Sequence, residues 1–298
     1  MRRLIRSLLL LAILGSGRLL ADDRPIRIVT LSTVLTEVAR QVGGTQVAVN
    51  GLVAPGIDPH TFNPSPRDIR AMVDADLVLA SGLNVEGYLN RLLTNDVSTG
   101  RVILVGDALA SPITSMTRNG VIEEDPHWWH SIDNVIAASE IVKAELIHLR
   151  PRCAPEFSTN ARDYSARLTV LKEWVASEVQ KIPAGGRILV TSHDAFGYFA
   201  RDYGFTVQSI NGYSTDGEPD ARRVASVVDL VRSHGIRAVF VEGGTNSALV
   251  ENLRRETGVS LGPTLYADGL GPAGSGAETY ESMYRANVAA IVAGLATR

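Results

Sequence analysis

One cysteine in 298 residues excludes an internal disulfide framework. Cys153 lies far from the N-terminus, offers no N-terminal lipid attachment point and reads as a packed residue near a helix start. Near the N-terminus the apolar run Leu8–Leu14 is too short to span a bilayer comfortably. It follows Arg2, Arg3 and Arg6 and precedes Gly15, Ser16, Gly17 and Ala21, which is the layout of a secretory signal peptide cleaved near Ala21. A retained anchor is the weaker option, because Arg18 interrupts the stretch. There is no excess of positive charge either. The net charge is −3, and loss of residues 1–21 would leave 25 of the 29 basic residues against 32 acidic ones, a net of −7. That balance excludes a nucleic-acid partner. The expected product is exported, soluble and periplasmic. The composition, 45% hydrophobic, carries no disordered signature.

Length points to two domains of about 100–150 residues each. RIVTLS (27–32) and VAVNGLV (47–53) read as strands around a helix over Val34–Val42. Ser65 and Pro66 form a helix start, with Ser65 as N-cap. DLVLASG (76–82) and RVILVG (101–106) are continuous apolar runs of the buried parallel type. This alternation predicts a first α/β lobe over 22–150. The next segment differs. Phe157, Ala161, Tyr164, Leu168, Leu171, Val175, Val179 and Ile182 recur at helical spacing, and no Gly or Pro falls between Glu156 and Ile182. A linking helix is expected within 151–184, a stiff strut rather than a coiled-coil seam, since the clean heptads are too few. A second α/β lobe over 185–298 follows, with strands GRILVTS (186–192), FTVQSI (205–210) and AVFVEG (238–243), and helices over Ala195–Tyr203, Glu218–His234 and Glu278–Leu295.

Four loop segments carry one hard donor each: His60, His127, His193 and Asp268. Three imidazoles and a carboxylate suit tetrahedral Zn²⁺, and the carboxylate admits Mn²⁺. Asp-Pro-His occurs at 58–60 and again at 125–127, which argues that both histidines serve one purpose. His193 ends an apolar strand, where capping the next helix is its plain alternative. Asp268 sits in a Gly-rich loop, a common place for a turn former. Glu242, at another strand end, competes with it as the carboxylate. His130 could stand behind the site or join it, whereas His148 and His234 read as helix-end charges.

G-x-D-P-H with its downstream P-x-P-x-D (56–68), D-P-H-W (125–128), S-H-D-A-F-G-Y-F-x-x-x-Y-G (192–204) and the D-G-L loop (268–270) together resemble the zinc/manganese-binding solute receptors of bacterial ABC importers. The resemblance spans nearly all of the chain after residue 26. It implies two α/β lobes, with mainly parallel sheets, joined by one long rigid helix. It also implies ligation by His60, His127, His193 and Asp268. The partners implied are a membrane permease and its cytoplasmic ATPase, with the receptor a monomer. Two departures matter. Ser111–Glu124 contains no histidine, so the His-rich loop of many zinc members is absent. His193 stands where many manganese members carry Glu, and a nitrogen-rich site favours Zn²⁺ over Mn²⁺. A zinc hydrolase would keep an open ligand position and a general base, and no H-E-x-x-H occurs. A purely structural zinc protein is the other competitor, and such domains unfold without metal.

Overall fold

A computed structural model describes residues 24–89, 101–110, 112–116, 122–213, 221–242 and 247–296. The expected signal peptide and the Glu218-Pro219-Asp220 helix start lie outside these residues. Among them, no helix is long and apolar enough to cross a membrane.

The first lobe opens with strand β1 (Ile26–Thr30), helix α1 (Thr33–Gly43) and strand β2 (Val47–Gly51). Ser32 caps α1 by accepting the Leu35 N–H, and Val34, Leu35, Val38, Ala39 and Val42 form its buried face. Helix α2 (Pro66–Asp74) starts on a complete capping box between Ser65 and Asp68. Strands β3 (Leu77–Ala80) and β4 (Arg101–Leu104) complete an all-parallel sheet of order β2-β1-β3-β4. A short antiparallel pair, β5 (Thr114–Met116) and β6 (Ile122–Glu124), leads to helix α3 (Ile132–Leu149).

Helix α4 (Ala154–Val179) runs 26 residues, about 40 Å at ~1.5 Å per residue. All eight stripe residues from Phe157 to Ile182 are buried. They face both lobes: α4 packs on α1 and α3 on one side and on the C-terminal helix α8 (Tyr280–Leu295) on the other. Arg167 of α4 ties α1 to α8, donating to Gln41 of α1 at 2.7 Å and to Glu281 of α8 at 2.9 Å. The stripe is therefore consumed within the chain and leaves no seam for a coiled-coil partner. One continuous apolar core runs from Ile28 through α4 to Phe199 and Val288. Such a shared core resists wide hinge opening.

The second lobe contains β7 (Ile188–Thr191), α5 (Gly197–Tyr203), β8 (Thr206–Ser209), α6 (Ala221–His234), β9 (Ala238–Phe240), α7 (Ser247–Thr257) and β10 (Ser260–Leu261) before α8. Its sheet is also all parallel, in the order β10-β9-β7-β8. The two lobes thus match the expected class, α/β with parallel sheets. Helices α3 and α7 and the β5–β6 pair are additions to the sequence reading. In α3 both faces are apolar: Val135, Ala138 and Val142 are buried while Ile136, Ile141 and Ile147 also pack on the core. No stripe stands out in such a sequence.

Candidate metal centre

His60 and His127 reach the site through the same local device. In each Asp-Pro-His, the aspartate side chain accepts the backbone N–H two residues on: Asp58 Oδ1 from His60 at 2.8 Å, and Asp125 Oδ1 from His127 at 2.9 Å. This Asx-type turn, stiffened by the intervening proline, explains why the phrase recurs. Asp125 does more. The same Oδ1 lies 2.9 Å from His127 Nδ1 and leaves Nε2 to point outward.

His193 follows β7 at the carboxyl edge of its sheet, where open parallel sheets collect ligands. It does not cap α5, which begins at Gly197 with no side-chain cap. Its Nδ1 faces Glu242 Oε2 at 3.4 Å, and Glu242 Oε1 accepts the Ser192 N–H at 3.0 Å. Glu242, the competing carboxylate of the sequence reading, thus stands behind His193. Asp268 lies on the loop between β10 and α8, three residues past Leu265, which bridges to Glu242. Asn287 of α8 braces this loop through the Tyr266 N–H and carbonyl, both at 2.8 Å.

Four atoms converge: His60 Nε2, His127 Nε2, His193 Nε2 and Asp268 Oδ1. Their residues offer donor atoms that all lie within 4.8 Å of one another. His60 Nε2 is 3.2 Å from His127 Nε2, and Asp268 Oδ1 is 3.4, 3.5 and 3.2 Å from His60, His127 and His193. A tetrahedral ion with bonds of about 2.0–2.1 Å separates its donors by roughly 3.3–3.4 Å. These four distances match that edge, so the arrangement can accept one divalent cation. The cluster is walled off: the His127 and His193 side chains are fully buried, and those of His60 and Asp268 are 6% and 8% exposed. His60 also lines a cleft of about 730 Å³ with Glu86, Asp107, Glu123 and Glu124, an acidic approach from solvent.

Electrostatics bind the cluster in the metal-free protein. Burial opposes charge on His193, but the Asp268 and Glu242 carboxylates outweigh it and hold the imidazole well above its ordinary pKa. His127 is likewise raised against the cost of burial, by Asp125 and Asp268. Asp268 is held well below the carboxylate range despite burial, by the charge on His193 and hydrogen bonds from the three rings. Glu242 is raised by burial.

His130 is not part of the cluster. Its ring is buried, its Nε2 lies 2.8 Å from the Ala267 carbonyl, and burial pushes its pKa down to about 3. His148 falls in the last turn of α3 and His234 at the end of α6, as read from sequence. Cys153 is buried immediately before α4. Asp125 was missed as a ring partner; its place in a repeated Asp-Pro-His was the available signal.

Known proteins share this build. Residues 28–294 match the family model described as ZnuA, zinc-uptake complex component A, periplasmic. The manganese-binding lipoprotein MntA of Bacillus subtilis is 34% identical over 279 residues, covering 92% of this chain and 90% of its own length. The manganese ABC transporter substrate-binding lipoprotein PsaA of Streptococcus pneumoniae is 24% identical over 297 residues, covering 98% and 96%. Among solved structures, the periplasmic zinc-binding protein TroA of Treponema pallidum superposes with a TM-score of 0.85 at 29% identity, covering 92% of this chain and all of that one. Fold and relatives define a class: extracytoplasmic metal-binding receptors of ABC importers, which bind and deliver rather than catalyse. The chain belongs to the periplasmic zinc-uptake component A family.

Proposed function

We propose that this protein captures one Zn²⁺ between its lobes with His60, His127, His193 and Asp268. It then passes the ion, as a monomer, to a membrane permease powered by a cytoplasmic ATPase. The observation that carries the reading is the convergence of three imidazole nitrogens and one carboxylate oxygen within 4.8 Å of one another, four of their separations near a tetrahedral edge, in a largely buried cluster at the sheets' carboxyl edges. Nitrogen-rich donor sets favour Zn²⁺ over Mn²⁺, and His193 supplies the third nitrogen. The reading takes residues 1–21 as a cleaved export signal, 22–150 and 185–298 as the lobes and 151–184 as the linking helix. It also takes the exported protein as free of a lipid anchor, since Cys153 is the one cysteine and is buried. MntA and PsaA are named lipoproteins, so mass measurement of the exported protein tests this point directly.

Mn²⁺ is the second reading, favoured by the Asp268 carboxylate and by relatives named for manganese. Competitive calorimetric titration of metal-stripped protein with both ions separates the two. One Zn²⁺ per chain, bound at least about 100-fold more tightly than Mn²⁺, supports a zinc receptor. Comparable affinities transfer the cargo assignment to manganese. Failure to bind either ion overturns the site.

A further inference from the structure

The segment that carries His127 also grips the segment that carries Asp268, and it does so at one atom. The Ala267 carbonyl oxygen accepts the Trp129 indole N–H at 2.8 Å and meets His130 Nε2 at 2.8 Å. A carbonyl only accepts, so His130 carries its proton on Nε2. Both lone pairs of that oxygen are thereby taken by side chains adjacent in sequence. The Ala267 C=O and the Asp268 N–H share one planar peptide unit. Holding the oxygen from two directions fixes where the Asp268 backbone starts.

The grip is itself braced. Tyr280 and Tyr284 of α8 donate to the Trp129 and His130 carbonyls at 2.7 Å each. The His130 ring stacks on Phe196 with centroids 4.4 Å apart and planes tilted by 33°. On the far side of Asp268, the Leu270 N–H donates to Thr33 Oγ1 at 2.8 Å. Gly269 makes that approach possible: its φ is +150°, and a Cβ there would sit 2.3 Å from the Thr33 hydroxyl. A loop of the C-terminal lobe is thus pinned on both sides of Asp268 to the N-terminal lobe.

We propose that Trp129 and His130 are positioning residues whose shared grip on the Ala267 carbonyl holds the Asp268 carboxylate at the site and sets how slowly the bound cation leaves. This rests on the four-residue zinc site proposed above. Asp268 is the one anionic donor of the four and sits on a loop, whereas His127 and His193 are locked by buried carboxylates behind them. Slackening the loop withdraws charge and one bond from the ion while three imidazoles still face it. Departure accelerates; capture does not change.

The test is stopped-flow release of Zn²⁺ from the loaded full-length protein into excess EDTA, alongside the association rate. His130→Phe keeps the stack on Phe196 and removes the donor. It is expected to raise the release rate about 10-fold, at the low end of what outer-shell partners of a metal contribute, with association within about twofold. The effect should vanish in an Asp268→Asn background, where no carboxylate remains to be held. His130→Gln, which retains an N–H donor, should recover part of the slow release. Trp129→Phe provides an independent variant with the same expectation. Release at the wild-type rate in both single variants, or a 10-fold effect that persists beside Asp268→Asn, overturns the proposal. Failure of the wild-type protein to take up Zn²⁺ overturns the receptor reading and this grip with it. Normal uptake with unchanged release overturns the grip alone.

Discussion

Lowering the pH from 6.5 to 5.5 is expected to weaken Zn²⁺ binding about a hundredfold. His193 sits well above its ordinary pKa and His127 is raised as well, in both cases because neighbouring carboxylates outweigh burial. Both rings therefore hold protons at and below about pH 6.5, the ordinary imidazole value. Asp268 stays ionised, held well below the carboxylate range by His193 and the ring hydrogen bonds. A metal–nitrogen bond needs a neutral imidazole, so binding expels both protons. Each displaced proton changes the affinity tenfold per pH unit, about 1.4 kcal/mol, and two change it by about 2.7 kcal/mol. The sign is fixed by the direction of the shifts: affinity rises with pH until the raised metal-free pKa values are passed. Calorimetry in two buffers of different ionisation enthalpy counts the protons released, and competition titrations give the slope. A dissociation constant that moves less than about threefold over this unit, with no proton release, would refute the electrostatic reading of the site.

Glu242→Gln should leave the fold intact and weaken Zn²⁺ binding about 10-fold, by loosening the orientation of His193; equal affinity by titration would assign Glu242 a packing role only. Gly197→Ala should also weaken binding, because a Cβ there would fall 2.4 Å from Asp125 Oδ2 and push away the carboxylate that orients His127. Normal binding by that variant would show that Asp125 can shift without disturbing the ring. Leu168→Ala, at a fully buried stripe position of α4, should cost about 2–5 kcal/mol in chemical unfolding of the metal-free protein while the loaded site keeps its coordination. A loss below about 1 kcal/mol would mean that the linking helix is less tightly packed than its burial implies.

The long helix was the most legible element, since eight apolar residues at helical spacing bury the same eight side chains. Capped or strongly patterned elements were legible too: Ser65 and Pro66 open α2 where expected, and Thr279 caps α8 close to the expected start. Helix α3 was not, because core contacts on both of its faces erase the stripe. The candidate site followed a similar divide. Asp-Pro-His could be read twice as a stiff turn, but only the folded chain reveals that Asp125 also holds the His127 ring. Glu242 and Asp268 were indistinguishable as carboxylates at strand or loop ends. What separates them is strand order: β9 lies beside β7, which puts Glu242 behind His193, while the loop after β10 carries Asp268 to the front. His130 could be read as either a donor or a bystander, and the short turn over Trp128–His130 swings it toward Ala267. Glu242 lies 49 positions from His193, Asp268 lies 75 from it and Ala267 lies 137 from His130, separations that local patterns do not encode.

Anomalous diffraction from crystals of the zinc-loaded protein, collected on both sides of the zinc edge, tests the central claim most directly. The expected result is one peak per chain, about 2.0–2.1 Å from Nε2 of His60, His127 and His193 and about 2.0–2.2 Å from an Asp268 oxygen. A peak elsewhere, or one bonded to Glu242 with Asp268 turned away, would contradict it.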